Sequence, residues 1–126
     1  MKAILDTSVI LATGITPIEG DIAISAITLA ELHFGVLVAK EQAIRAERLR
    51  RLLKVQRDFD ALPLDAATAA SYGQIAAAVV DAGRQPRARA MDLLIAATAH
   101  AHAARLYTRN AADFHGLQHL IDIIPV

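Results

Sequence analysis

The sequence predicts an α/β fold, a mainly parallel central sheet sandwiched by helices. Short apolar runs such as Ala3-Ile4-Leu5 and Ile22-Ala23-Ile24 alternate with longer helical stretches, as in βαβ units. Hydrophobic residues make up 55% of the chain and charged residues 21%, enough apolar material for a core. The length of 126 residues suits one domain over 1–126.

Ala3-Ile4-Leu5 stops at Asp6 and reads as a buried parallel strand, with a turn and helix over Thr7 to Ala12. Gly14 and Pro17 mark a loop, and Ile22-Ala23-Ile24 is the second strand. Ser25 or Thr28 caps a helix that runs to about Lys40. Glu41 to Phe59 is a strongly charged helix. Ala61 to Leu64, broken by Pro63, is an extended connection or edge strand. Asp65 is placed to cap a helix to Ala82, and Gly83 sits where a C′ glycine ends it. Arg84 to Arg89 is a basic loop, and Asp92 opens an Ala-rich helix to about Ala104. Leu106-Tyr107-Thr108 is a strand, Asn110 to Phe114 a helical turn, and Ile121 to Ile124 a last strand.

Composition removes several functions. Thirteen Lys+Arg balance thirteen Asp+Glu, which argues against a general polyanion glue. The absence of cysteine excludes disulfides, Cys-ligated zinc and thiol catalysis. Mean hydropathy is +0.38. Yet the longest stretch free of Asp, Glu, Lys and Arg, Ala66 to Val80, falls short of the roughly 20 residues of a spanning helix. The apolar run before Asp6 is too short for a signal peptide, so a cytoplasmic protein with no membrane partner is expected.

Asp6 follows the first strand directly, and Asp113 lies five residues past Thr108. In an open parallel sheet, ligands bind outside the carboxyl ends of the strands. If both strands are parallel, both carboxylates lie at that rim. Glu31 and Asp92 fall in the early turns of helices, which also place one end there. Four acids at one place repel one another unless a hard divalent cation joins them. Mg²⁺ and Mn²⁺ take oxygen ligands, polarise phosphoryl oxygens and activate water. The expected chemistry is metal-assisted phosphodiester hydrolysis. Each acid also has a structural reading. Asp6 is a preferred N-cap, Thr28-x-x-Glu31 fits a capping box, Asp92 suits a helix dipole, and Asp113 suits a solvated loop.

LDTSVI at 5–10, SAITLAEL at 25–32, MDLLIAATA at 91–99 and YTRNAADF at 107–114 together resemble PIN-domain ribonucleases. The likeness is closest to the VapC toxins of type II toxin–antitoxin pairs. It implies a catalytic and metal-binding quartet of Asp6, Glu31, Asp92 and Asp113, with Asp6 and Asp92 as direct ligands. It further implies that Ser8, Asn110 and Thr108 orient acids or water. The implied activity is Mg²⁺- or Mn²⁺-dependent endoribonuclease cleavage of structured RNA, of the tRNA or rRNA class. The implied partners are a small VapB-like antitoxin, whose tail crosses the toxin's groove, and a second copy in a homodimer.

Basic residues cluster twice. Residues 40–57 hold seven Lys or Arg against Glu41 and Glu47, either a solvated face or a nucleic-acid face. Arg84, Arg87 and Arg89 precede Asp92 and, with Arg109, are candidate RNA-phosphate contacts. Leu32, Phe34, Val36 and Leu37, with Leu49, Leu52 and Leu53, read as an antitoxin groove or as core between neighbouring helices. His115 and His119 can share a helix face but have no evident third ligand, which speaks against a histidine metal site. The alternative function is a catalytically weak PIN-fold module that binds RNA or protein. Receiver and DxD-phosphatase readings fail, because Thr7 and Ser8 follow Asp6 where a second acid is needed.

Overall fold

A computed structural model describes residues 2–14 and 16–126. Ile15, inside the expected loop, lies outside the described residues. In chain order the strands are β1 (Lys2–Leu5), β2 (Asp21–Ser25), β3 (Asp60–Leu62), β4 (Arg105–Thr108) and β5 (Ile123–Pro125). The helices are α1 (Thr7–Leu11), α2 (Ala26–Val38), α3 (Gln42–Asp58), α4 (Ala66–Asp81) and α5 (Ala90–Ala101). Two 3₁₀ turns cover Pro86–Arg89 and Ala111–Phe114.

The sheet order is β3-β2-β1-β4-β5, and every pairing is parallel. Alternation along each strand divides the core between two faces. Ile4, Ala23 and Leu106 join Ile75, Val79, Leu93 and Phe114 on one side. Their sequence neighbours Leu5, Ile24 and Tyr107 face Val9, Leu32, Val36, Leu52 and Val55 on the other. So α4 and α5 cover one face, and α1, α2 and α3 the other. Four of the five residues Ile95 to Ala99 are apolar and fully buried, and three of those are alanine, which lets α5 lie close to its neighbours.

Cap chemistry explains the helix ends. Ser25, not Thr28, caps α2: its Oγ accepts from the Ile27 N–H at 3.1 Å. Asp65 caps α4 as expected, accepting from the Thr68 N–H and hydroxyl, both at 2.9 Å. Helix α4 ends in a Schellman motif. Gly83 (φ +80°) donates to Val80 O and Arg84 to Val79 O. The same two bonds close α5 around Ala103, which holds φ +50° without being glycine. The expected loop at 84–89 is a 3₁₀ turn entered through Pro86, and it runs directly into α5. Asp92 therefore lies inside the first turn rather than at the cap.

Candidate active site at the carboxyl rim of the sheet

Register brings three buried polar residues level. Leu5 pairs with both Ile24 and Tyr107, so Asp6, Ser25 and Thr108 follow side by side at one rim. Asp6 caps α1, and its Oδ1 accepts from the Val9 N–H at 3.2 Å and from the Ser8 hydroxyl. A carboxylate that is 5% exposed needs such donors, because burying an unpaired charge is costly. The cap reading and a site role are compatible, since both bonds use Oδ1. Ser8 Oγ also accepts from the Arg109 N–H at 3.0 Å. One hydroxyl thus ties the end of β1 to the chain leaving β4. Thr108 Oγ1 accepts from the Asn110 N–H at 2.9 Å and holds the next turn. The Asn110 side chain makes no capping bond there.

Glu31 is not in a capping box with Thr28. Its Oε1 accepts from the Thr7 hydroxyl at 2.7 Å. Thr7 and the fully buried Thr28 share a further 3.1 Å bond. A hydroxyl has one proton, so with Thr7 committed to the carboxylate, Thr28 donates to Thr7. Sequence reasoning passed over Thr7. The only signal was a hydroxyl beside Asp6 in LDTSVI, and its partner lies 24 residues away.

Asp92 connects the quartet electrostatically. Its proton affinity is raised, first by burial and then by the negative charges of Glu31, Asp113 and Asp6, with Arg89 opposing. All three other acids are therefore near enough to act on it. Glu31 and Asp92 line a cleft of about 300 Å³ together with Arg87, Arg89 and Met91. Asp113 binds the Arg89 guanidinium at 2.7 Å. Among the described residues, no three His, Asp or Glu side chains already form a metal cage. The donor set is nonetheless all carboxylate oxygen, which suits Mg²⁺ or Mn²⁺, and a cation there would relieve the repulsion that raises Asp92.

The basic residues divide by role. On α3, Arg45 donates to Ala39 O at 3.0 Å and Arg48 to Gly35 O at 2.7 Å, closing carbonyls of α2 and its end. Lys54 and Arg57 pair with Asp58 and hold its carboxyl below the usual range. Much of that helix's charge is thereby used within the fold. Arg84 reaches Ala112 O at 3.4 Å, while Arg87 and Arg109 are exposed. The expected groove also divides. Leu32, Val36 and Leu52 are core, whereas Phe34, Leu37, Leu49 and Leu53 are 43–73% exposed. Of these exposed residues Phe34 lines a cavity of about 380 Å³, together with Leu11, Arg48 and Arg51, that reaches Thr7 and Glu31. His100 Nδ1 bonds Ser71 Oγ at 2.8 Å between α5 and α4.

Comparison with known proteins places the chain. Residues 3–118 match the PIN domain. It is 38% identical over 120 residues to Ribonuclease VapC5 of Mycobacterium tuberculosis, covering 90% of this chain and 86% of that one. It is 36% identical over 97 residues to Toxin FitB of Neisseria gonorrhoeae, covering 75% and 68%. The structure of VapBC-5 from M. tuberculosis, a member of the VapBC family of toxin–antitoxin systems, superposes with a TM-score of 0.83 at 34% identity, covering 99% and 98%. With the parallel sheet and the acids beside its rim, these matches show that the chain belongs to the PIN domain family and is related to the VapC ribonucleases and FitB toxins.

Proposed function

We propose that this chain is a Mg²⁺- or Mn²⁺-dependent endoribonuclease that hydrolyses phosphodiester bonds in structured RNA, the toxin of a toxin–antitoxin pair. The observation that carries the reading is the placement of Asp92 at the rim of a PIN-family sheet, where the charges of Glu31, Asp113 and Asp6 add to burial in raising its proton affinity. Asp6 and Asp92 would hold the ion directly. Glu31 and Asp113 would complete the site or hold its waters. The ion, when bound, supplies Lewis acidity toward a phosphoryl oxygen and toward the attacking water. Ser8 keeps Asp6 Oδ1 occupied, which leaves Oδ2 for the ion. Thr7 fixes Glu31 in the same way, and Thr108 supports the turn that carries Asp113. Arg84, Arg87, Arg89 and Arg109 would contact RNA phosphates around the cleft, giving affinity with little base choice.

In this reading the whole chain, 1–126, is one domain that works in the cytoplasm as a homodimer. No helix among the described residues is long and apolar enough to cross a membrane. A small VapB-like antitoxin would cover the exposed Phe34, Leu37, Leu49 and Leu53, of which Phe34 lines one cavity with Glu31, and such an apolar surface suits an amphipathic segment. The solved VapBC-5 structure supports this partner, since it comes from a toxin–antitoxin system.

The test is RNA cleavage in Mg²⁺ or Mn²⁺ by protein purified free of any antitoxin, beside Asp6→Asn and Asp92→Asn. Loss of about 100-fold or more is expected in each variant, as for removal of a main charge-stabilising group. Undiminished cleavage in both would remove the assignment.

A further inference from the structure

We propose that Arg89 is a positioning residue and a resident counter-ion, holding Asp113 while no divalent cation is bound and turning to an RNA phosphate when one is. The inference rests on the metal-dependent reading above. The Arg89 Nη1–Asp113 Oδ1 contact is 2.7 Å, and among the described residues it is the only ion pair that engages any of the four acids. Among the described residues, Arg89 is thus the one cation in direct contact with any of these acids.

Geometry makes the contact exchangeable. The two side chains are 37% and 35% exposed, so the pair lies at the rim and is open to water. Such half-exposed pairs are weak and readily replaced. Arg89 sits at the junction of the Pro86–Arg89 turn and α5, three residues before Asp92. Its side chain therefore serves two places from one backbone position, the Asp113 carboxylate and the cleft it lines with Glu31, Arg87 and Asp92. Arg84 differs, because it reaches a backbone carbonyl rather than an acid.

A divalent cation and a guanidinium attract the same carboxylate oxygens and repel each other. Cation binding therefore weakens the Arg89–Asp113 pair, and that pair lowers cation affinity in turn. A released guanidinium beside the cleft presents a planar fork that matches two phosphate oxygens.

The experiment titrates antitoxin-free protein with Mn²⁺ by calorimetry, comparing wild type, Arg89→Gln, Arg89→Lys and Asp6→Asn. Arg89→Gln should bind Mn²⁺ about 3- to 10-fold more tightly, because a competing positive charge is gone. Arg89→Lys keeps the charge and should stay near wild type. RNA affinity should fall in Arg89→Gln although metal affinity rises. In wild type, the ¹⁵N resonance of the Arg89 Nε–H should shift on Mg²⁺ addition over the concentration range that saturates the site. Unchanged or weaker Mn²⁺ binding in folded Arg89→Gln overturns the proposal, as does a resonance that Mg²⁺ leaves in place. If Arg89→Gln does not fold, the wild-type resonance decides alone. Wild type that takes up no Mn²⁺, or Asp6→Asn that binds it equally well, overturns the metal site and this inference together. Binding that Asp6→Asn abolishes and Arg89→Gln leaves unaltered overturns the inference only.

Discussion

Thr7 and Asp6 are adjacent in sequence and do different work. Asp6 caps α1 and turns a carboxylate toward the rim, while Thr7 donates to Glu31 from the first turn of that helix. Thr7→Val keeps the shape and removes the hydroxyl. Glu31 then loses its donor and the buried Thr28 hydroxyl its partner. The expected loss is about 1–2 kcal/mol of stability and about 10-fold in cleavage rate. Denaturant unfolding and single-turnover cleavage measure the two, and Thr7→Ser should restore both. Equal rates in wild type and Thr7→Val would show that Glu31 needs no orienting. Asp92 governs a pH dependence. Its proton affinity is raised in the folded protein, so the native state keeps a proton that the unfolded chain has already released. Its contribution to metal-free stability therefore falls as pH rises from the ordinary carboxylate range through the raised native value. Mn²⁺ binding runs the other way, because it needs the ionised form and expels the proton. Melting curves against pH should be flatter for Asp92→Asn than for wild type over that window, and identical slopes would contradict the shift.

The elements carry these residues with little slack. The Ala111–Phe114 turn presents Asp113, and just beyond it Gly116 (φ +90°) lies against the end of α4. A Cβ added at Gly116 would stand 2.9 Å from Ala82 Cβ. Gly116→Ala therefore meets both an unfavourable backbone region and a clash, and should cost about 1–3 kcal/mol. Its effect on Mn²⁺ affinity reports whether the turn moves Asp113, and a stability unchanged in urea would refute the packing argument. On α3, Arg45 and Arg48 bind carbonyls of α2 and its end, and Arg57 binds Asp58. Sequence gives the charge of such a helix, but not which cations meet a partner across a helical hairpin.

The whole molecule sets the polarity of the site. A parallel sheet sends the ends of β1, β2 and β4 to the same rim, and α5 enters beside them through the Pro86–Arg89 turn. Exposed Arg87 and Arg109 lie in the turn before α5 and at the end of β4. Replacing both with alanine should weaken RNA binding and reduce its dependence on salt by about two units of log–log slope. Arg45→Gln should leave that slope alone and lower stability instead. A filter-binding titration against KCl distinguishes the two, and an unchanged slope in the double variant would place the RNA elsewhere. No sequence period encodes this arrangement, since Arg87 lines the cleft with Glu31 and the Arg109 backbone meets Ser8 only after the helices and the sheet have packed.

The sequence by itself determined the alternation of strands and helices, the strand-end carboxylate at Asp6, the cap at Asp65 and the glycine stop at Gly83. These depend on residues within a few positions of each other, where backbone sterics and local hydrogen bonds decide. It also carried the family through four ordered blocks. Tertiary structure alone decided that Thr7 holds Glu31, that Ser8 joins Asp6 to the backbone of Arg109, and that Arg89 meets Asp113. Such bonds form between groups that the chain brings together only when the sheet closes, so their geometry is a property of packing and not of spacing.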